Sequence, residues 1–196
     1  MSDVKVYFDL ACPYCYLARG FWLKMQEECP IEMDWVPWEA HPEYPPKGRP
    51  REGDEEGRLE KLRALGGNIR GFETNARWPN THNALLGLEY ARSKGKVDQY
   101  IERLYEAYFA EKTDISGWDE VVRLGAEIGL DKEALQKSIR EKEYEQTLID
   151  WDQEAEGMGL EVVPSFVQQG VLVLEGSTTM DFKEFREKYL EIWGDC

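Results

Sequence analysis

Positive charge is scarce in this sequence. Its 196 residues include 24 Lys and Arg but 39 Asp and Glu, so the formal net charge is −15 at pH 7. Phosphate contacts need Lys and Arg, and anionic lipid surfaces attract basic segments. The composition therefore argues against nucleic-acid binding and against attachment to an anionic membrane, and the excess of negative charge favours solubility.

Long apolar runs are also absent. No run approaches the length of about 20 residues that is needed to span a bilayer. The first residues, Met-Ser-Asp-Val-Lys-Val, do not place a basic segment before an apolar one, as a secretory signal peptide does. The sequence predicts a cytoplasmic protein without a membrane partner.

Residues that could bind metals or form many disulfides are few. Four cysteines in 196 residues are too few for a disulfide scaffold. Structural zinc usually takes four ligands from cysteine and histidine, and the chain has only two histidines. Cys29, Cys196, His41 and His82 stand at no zinc-like spacing, so we expect no metal. We interpret Cys29 as a thiol without a catalytic role near a helix end. We interpret Cys196 as a mobile thiol unconnected with the other cysteines, although an exposed thiol could form mixed disulfides. His41 could approach a thiol site, but we interpret it as a surface residue.

The sequence does contain the motif Cys12-Pro13-Tyr14-Cys15. The preceding run, Val4–Leu10, has the β-branched and aromatic content of a strand, and Tyr16–Glu28 repeats apolar residues at helical spacing. Proline suits the first position of a helix, because its missing N–H would be unpaired there. The motif is therefore predicted to begin a helix, with Cys12 at the helix N-terminus.

This placement predicts redox chemistry for the two cysteines. Free N–H groups and the positive end of the helix dipole favour a thiolate, which is the reactive form of cysteine. Cys15 lies one helical turn after Cys12 and can close a disulfide with it. We expect Cys12 to be the more exposed, attacking thiol and Cys15 the buried, resolving thiol. Pro13 and Tyr14 support the site but carry no charge, so electron-donor and electron-acceptor roles both remain open.

The rest of the chain alternates between strand-bearing ends and a helical middle. Residues 58–157 follow helical patterns almost throughout, whereas the polar, proline-rich residues 41–57 are predicted to form a loop. Residues 1–57 and 158–196 are thus predicted to form one α/β domain that residues 58–157 interrupt as an inserted helical domain. Strands and a last helix are predicted at Ile31–Trp35, Val162–Val167, Val171–Leu174 and 182–192.

These features together resemble the thioredoxin fold, and the helical insertion resembles that of the DsbA family. Asp9-Leu-Ala-Cys12-Pro-Tyr-Cys-Tyr16 is similar to the active-site signature of the FrnE-like branch, which usually carries Trp in place of Tyr14. Asn80-Thr81-His82-Asn83-Ala84 and Tyr108-Phe109-Ala110-Glu111 resemble segments of that branch's insertion, and Val163-Pro164-Ser165-Phe166-Val167 resembles its cis-proline strand. The resemblance implies an α/β, thioredoxin-like fold with a large all-helical insertion.

The resemblance also implies an activity. It implies that Pro164 is cis and lies against the Cys12–Cys15 pair, and that the backbone of Val163 pairs with an extended substrate. Without the resemblance, Pro164 could equally be an ordinary proline at a strand end. The implied function is that of a dithiol–disulfide oxidoreductase or disulfide isomerase. Its substrates would be protein or low-molecular-weight thiols and disulfides, and it would need no metal or organic cofactor.

Two other functions are compatible with the sequence. Kappa-class glutathione transferases and 2-hydroxychromene-2-carboxylate isomerases share the layout, but they typically activate glutathione with a serine where this chain has Cys12. A non-catalytic peptide-binding module would hold clients in a groove lined by exposed aromatics, for which Tyr14, Trp38 and Trp78 are candidates. His82 is interpreted as structural or groove-lining. The sequence does not predict the oligomeric state.

Overall fold

The computed structural model describes residues 4–52, 55–66, 77–176 and 180–194. Its strands are β1 (Val4–Phe8), β2 (Met33–Pro37), β3 (Arg49–Pro50), β4 (Arg77–Trp78), β5 (Ser165–Gln168) and β6 (Val171–Glu175). Its α-helices are α1 (Pro13–Met25), α2 (Glu55–Gly66), α3 (His82–Ser93), α4 (Val97–Tyr105), α5 (Trp118–Glu127), α6 (Lys132–Arg140), α7 (Glu145–Gly157) and α8 (Phe182–Trp193). A π-helical turn, Glu106–Ala110, follows α4.

The main sheet joins the two ends of the chain. Its strand order is β2-β1-β5-β6, with β1 and β2 parallel and the other neighbours antiparallel. Val6 of β1 is paired with Trp35 on one side and with Phe166 on the other. This mixed sheet, interrupted by helices between β2 and β5, is the thioredoxin-like fold with a helical insertion that the sequence predicts.

Alternation along β1 divides the core between the two faces of the sheet. Val6 and Phe8 lie in the larger cluster of buried residues, which includes side chains of α1 and α8, whereas Tyr7 packs with Ala155 of α7. The rings of Phe8 and Trp35 meet edge to face, 5.3 Å apart. Successive strand residues face opposite sides, so helices cover both faces of β1.

Two arginines connect the helices of the insertion to the sheet and to α1. Arg92 of α3 donates hydrogen bonds to the carboxylate of Asp34 and to the carbonyl of Trp35. Arg19 of α1 is 1% exposed and forms ion pairs with Asp98 and Glu102 of α4. The helical middle of the chain therefore packs tightly on the rest, and its description as a separate domain of residues 58–157 stays a prediction.

Several element limits differ from the sequence prediction. β2 begins at Met33 rather than at Ile31, because the Ile31 carbonyl accepts hydrogen bonds from the side chains of Trp22 and Gln26. The first strand of the hairpin begins only after Pro164, at Ser165. None of the helices in the described ranges combines the length and the apolar character that crossing a bilayer demands.

The prediction that residues 41–57 form only a loop is wrong. Part of this stretch is strand β3, which pairs antiparallel with β4 as a two-stranded ribbon, Arg49 opposite Trp78. Gly48 permits the approach: its φ is +65°, and a Cβ there would lie 2.1 Å from the Trp78 carbonyl oxygen. The ribbon places Arg49 and Trp78 beside the start of α1, where they become part of the site.

Candidate active site

Cys12 caps the N-terminus of α1. It has extended backbone angles, and its Sγ accepts a hydrogen bond from the backbone N–H of Cys15 at 3.4 Å. Pro13 occupies the first turn of the helix, as the sequence predicts. A sulfur at this position faces free N–H groups and the positive end of the helix dipole.

Cys12 and Cys15 are both free thiols with different environments. Cys12 is half-buried, whereas Cys15 is fully buried. Burial raises the pKa of the Cys15 thiol well above its usual range, and the hydrogen bond and charge of Cys12 raise it further. The pair therefore combines one accessible sulfur with one whose protonated form is favoured by burial.

The segment before β5 covers the accessible sulfur. The Val163–Pro164 peptide bond is cis, as the resemblance implies. The Cys12 thiol donates to the Val163 carbonyl, with 3.6 Å between sulfur and oxygen. Gly176 holds the segment from behind: its N–H donates to the Pro164 carbonyl at 2.7 Å, and a Cβ there would lie 2.4 Å from Pro164 Cδ. Val163 thus borders Cys12, and the role of Val163 and Pro164 in substrate binding stays a proposal.

Asp9 organises the polar side of the site. The carboxyl group is 2% exposed and accepts hydrogen bonds from the N–H of Ala11 (2.7 Å), the N–H of Ala40 (3.0 Å) and the Thr81 hydroxyl (2.8 Å). Burial raises the pKa of Asp9, and the hydrogen bonds from Ala11, Ala40 and Thr81 oppose the rise. Asp9 joins the end of β1, the loop after β2 and the start of α3, and so fixes the position from which Cys12 begins α1.

The sequence prediction did not single out Asp9 for a role. The available signal was its place, a carboxylate directly after a buried strand and three residues before Cys12. Such a residue has to find donors nearby, because a buried carboxylate without them is costly. Which donors it finds depends on Ala40 and Thr81, and sequence spacing alone does not identify them.

A cavity of about 340 Å³ opens beside Cys12. Tyr14 and Trp78, two of the three aromatics predicted to face a groove, line it. The third, Trp38, packs instead on the buried cluster around Tyr7. His41 is exposed, as predicted, and also lines this cavity. The remaining residues of the wall are Asp9, Ala11, Cys12, Pro13, Ala40, Tyr44, Arg49, Pro79, Thr81 and Val163.

His82 does not line the cavity. Its two ring nitrogens lie 3.0 Å from Glu39 and 2.8 Å from Glu145, so it connects the loop after β2 with α7. The hydrogen bond to Glu39 is the main cause of its raised pKa, and burial opposes the rise. This arrangement agrees with a structural His82.

The interpretation of Cys29 as a free thiol is wrong. Cys29 is 1% exposed and is held in a disulfide, so it cannot exchange with substrate as a thiol. Cys196, interpreted from the sequence as a mobile thiol, lies outside the described residues. Across the described ranges, no group of three His, Cys, Asp or Glu side chains is arranged to hold a metal ion.

Comparison with known proteins identifies relatives over nearly the whole chain. The family model described as "DSBA-like thioredoxin domain" matches residues 3–186. The uncharacterized protein YwbO of Bacillus subtilis is 26% identical over 191 residues, covering 92% of this chain and 93% of YwbO.

Two solved structures share the fold. A probable DsbA oxidoreductase from Streptomyces coelicolor superimposes with a TM-score of 0.80 at 19% identity, covering 98% of this chain and 90% of that one. The cytosolic disulfide reductase DsbM from Pseudomonas aeruginosa, solved with GSH, gives a TM-score of 0.73 at 15% identity, covering 98% and 99%. At these identities the two structures support the fold and not a particular activity.

Proposed function

The chain belongs to the family of DsbA-like thioredoxin domains, and from that premise we propose that it is a dithiol–disulfide oxidoreductase whose reacting pair is Cys12 and Cys15. One observation carries the proposal: a half-buried and a fully buried free thiol stand together at the start of α1, beside an open cavity. That arrangement suits a sulfur that meets substrate and a second sulfur that meets only the first.

The reaction begins with the reduced pair. The Cys12 thiolate attacks one sulfur of a substrate disulfide, which forms a mixed disulfide and releases one substrate thiolate that takes up a proton. The Cys15 thiol then loses its proton and attacks Cys12 Sγ, which releases the second substrate thiolate. The pair loses two electrons and two protons, and the substrate disulfide becomes two thiols. Run backwards, the same steps oxidise a substrate dithiol.

The environments of the two sulfurs suit them to different steps of this reaction. The N-terminus of α1 and the Cys15 N–H stabilise negative charge on Cys12 when it attacks as a thiolate. They do the same when Cys12 leaves the mixed disulfide because a second substrate thiolate attacks the substrate sulfur. Burial keeps Cys15 protonated in the resting enzyme. Cys12 is therefore the sulfur that reacts with substrate, and Cys15 acts after the mixed disulfide has formed.

We propose protein or low-molecular-weight thiols and disulfides as the substrates. Val163 is half-exposed next to Cys12, so its backbone can pair with an extended substrate segment as an added strand. Membership of the FrnE-like branch and a cytoplasmic location stay predictions from the sequence. The disulfide at Cys29 is more typical of an oxidising compartment, so cell fractionation is the direct test of location.

The deciding experiment is a redox titration against glutathione buffers. Alkylation of Cys12 and Cys15 is followed by peptide mass spectrometry, so that Cys29 is not counted. We expect a two-electron transition in the wild type and none in Cys15→Ser, and its midpoint sets the direction of electron flow. If no Cys12–Cys15 disulfide forms at any potential, the proposal is wrong.

The same variants separate the two other functions. An enzyme of the glutathione-transferase type needs one activated residue, so its activity would survive Cys15→Ser. A peptide-binding module would bind its clients equally well in the Cys12→Ser, Cys15→Ser double variant. Disulfide cycling is lost in both variants.

A further inference from the structure

The cavity beside Cys12 has a positively charged wall in a strongly acidic protein. Among the described residues that line it, the basic side chains are Arg49 and His41, and the carboxylate is Asp9. Asp9 is 2% exposed and its oxygens already accept three hydrogen bonds, so it turns little free charge towards the cavity. Arg49 and His41 are both exposed. Arg49 therefore presents to a ligand in this cavity a charge opposite in sign to the protein's net charge of −15.

Arg49 is positioned by the fold rather than left to swing freely. It lies in β3 and follows Gly48, whose carbonyl accepts from Arg77 of β4 at 2.7 Å. Its guanidinium lies over the ring of Tyr44, 4.7 Å from the centroid. Tyr44 is 8% exposed and also stacks on His41, with 4.4 Å between the ring centroids. One buried ring thus supports both basic groups at the cavity.

Arg49 is also electrostatically available. Other arginines of the described chain, such as Arg19, Arg92 and Arg103, have carboxylates within 4.0 Å. No described carboxylate lies within 4.0 Å of Arg49, although the chain has 39 acidic and only 24 basic residues. The charge of Arg49 reaches Glu43, where it helps to lower the pKa of that exposed carboxyl group. His41 has an acidic neighbour, Glu43, at 3.1 Å. An arginine with no described carboxylate within ion-pair distance, at the mouth of this cavity, can give its two N–H edges to a ligand carboxylate.

From these contacts we infer that Arg49, assisted by His41, anchors a carboxylate of the substrate, and that the substrate is a small thiol or disulfide carrying such a group. A volume of about 340 Å³ stands at the small end of ligand sites, which suits a compound of this size rather than a protein loop. The inference rests on the proposed function, because the reacting atom is Cys12 Sγ. Arg49 acts as a specificity residue and takes no part in bond making.

The chemical step is balanced as in the proposed function. A disulfide R–S–S–R, with a carboxylate in R near Arg49, gives up one sulfur to Cys12 and releases R–SH. Attack by Cys15 releases the second R–SH. The Cys12–Cys15 dithiol is oxidised and the disulfide is reduced by two electrons. In the reverse direction, two carboxylate-bearing thiols reduce the Cys12–Cys15 disulfide and leave as R–S–S–R.

Three linear disulfides that differ in terminal charge test the inference. They are 3,3′-dithiodipropionate (anionic), bis(2-hydroxyethyl) disulfide (neutral) and cystamine (cationic). The rate constant for oxidation of the reduced protein is measured for each, and the anionic-to-neutral and cationic-to-neutral ratios are compared between variants. Comparing ratios between variants cancels the intrinsic reactivity of each disulfide. We expect Arg49→Gln to lower the first ratio about fivefold and to raise the second.

Lys47→Gln is the matched control. It removes the same charge from an exposed neighbour that does not line the cavity, so it should leave both ratios within about twofold of wild type. His41→Gln should lower the anionic-to-neutral ratio by less than Arg49→Gln does. Equal ratios in wild type and Arg49→Gln, with normal oxidation by the neutral disulfide, overturn the inference and leave the proposed function intact. Failure of all three disulfides to oxidise the wild type defeats the proposed function itself.

Discussion

Cys12, at the N-terminal end of α1, is a half-buried free thiol that faces a cavity. Cys29, just beyond the C-terminal end of the same helix, is 1% exposed and held in a disulfide. The backbone explains part of this difference. Unpaired N–H groups at the N-terminus stabilise a thiolate, whereas the carbonyl groups at the C-terminus disfavour one. The N–H of Cys29 is already bonded to the Met25 carbonyl at 2.7 Å.

Packing explains the rest of the difference. Aromatic side chains enclose the C-terminal end: the Phe21 ring lies 5.6 Å from those of Phe182 and Phe185, and Tyr189 donates to the Cys29 carbonyl. At the N-terminal end, hydrogen bonds to Asp9 hold the backbone while a cavity stays open. The two ends show that the environment of a cysteine depends on helix polarity and on whether its neighbours fill the space.

Removing the Cys12 sulfur should impair activity, whereas removing the Cys29 sulfur should impair stability. Cys12→Ser should lower the rate of disulfide exchange at least about a thousandfold with little loss of stability, because it deletes the nucleophile. Cys29→Ala should keep the exchange rate within about twofold and lower the free energy of unfolding by about 2 to 4 kcal/mol. Stopped-flow kinetics and urea denaturation measure the two effects. A large rate loss in Cys29→Ala would show that the two ends are not independent.

Hydrogen bonds should contribute more to stability at the N-terminal end of α1, where Asp9 accepts them, than at the C-terminal end, which aromatic side chains enclose. Asp9→Ala leaves three donors without an acceptor and should lower the free energy of unfolding by about 3 kcal/mol, and Asp9→Asn by less. Gln26→Ala is the matched change at the other end. It should cost only about 0.5 kcal/mol, because Trp22 still donates to the Ile31 carbonyl. Equal losses in urea denaturation would contradict this contrast.

The Val163–Pro164 segment beside Cys12 should tolerate no added volume at Gly176. Gly176→Ala places a Cβ 2.4 Å from Pro164 Cδ, so the segment has to shift. We expect a loss of about 2 kcal/mol in stability and a roughly tenfold slower exchange reaction. Gly157→Ala, which meets nothing within 4 Å, should be neutral or slightly stabilising. Thermal unfolding and exchange kinetics are measured for both variants. Equal behaviour of Gly176→Ala and Gly157→Ala would show that the contact between Gly176 and Pro164 has no effect.

The smallest expected effect is a pH dependence of the stability that His82 contributes. The pKa of His82 is raised in the folded state, mainly by its hydrogen bond to Glu39. Its stabilisation is complete below the unfolded value of about 6.5 and is lost as the pH rises through the folded value. The stability gap between wild type and His82→Gln should therefore be larger at pH 6 than at pH 8.5, by about 1 kcal/mol at most.

Tyr189→Phe is the control for this pH dependence. It removes the hydrogen bond to the Cys29 carbonyl near the C-terminal end of α1, which should lower the free energy of unfolding by about 1 kcal/mol. Burial raises the pKa of Tyr189, so the hydroxyl stays protonated and the cost should be the same at pH 6 and pH 8.5. An equal pH dependence in both variants would show that His82 is not the titrating group.

Local patterns predicted the elements that carry the motif. Pro13 begins α1 and Cys12 caps it, as the sequence indicates, because proline geometry and unpaired N–H groups act within one turn. The last predicted helix, over 182–192, is α8, and Asp181 caps it by accepting a hydrogen bond from the Glu184 N–H. The helical pattern of the middle of the chain was also recognisable, although part of it, Glu106–Ala110 after α4, is a π-helical turn.

Long-range contacts account for what the sequence prediction missed. The β3–β4 ribbon pairs residues almost thirty positions apart, and each of its strands has two residues, too few for any periodic pattern. The disulfide of Cys29 was mistaken for a free thiol because the spacing of cysteines does not reveal which of them are paired.

The sequence by itself determined the position and chemical type of the proposed reacting pair, Cys12 and Cys15. Two cysteines one turn apart at the start of a helix have their backbone environment set by that helix alone. Only the tertiary structure decided which sulfur is open, what surrounds it and which charge a ligand meets. Cys15 is buried by residues from across the chain, and the cavity beside Cys12 exists because Asp9, Tyr44 and Arg49 converge from separate elements. Burial and charge at a site depend on neighbours in space, and a linear pattern does not contain them.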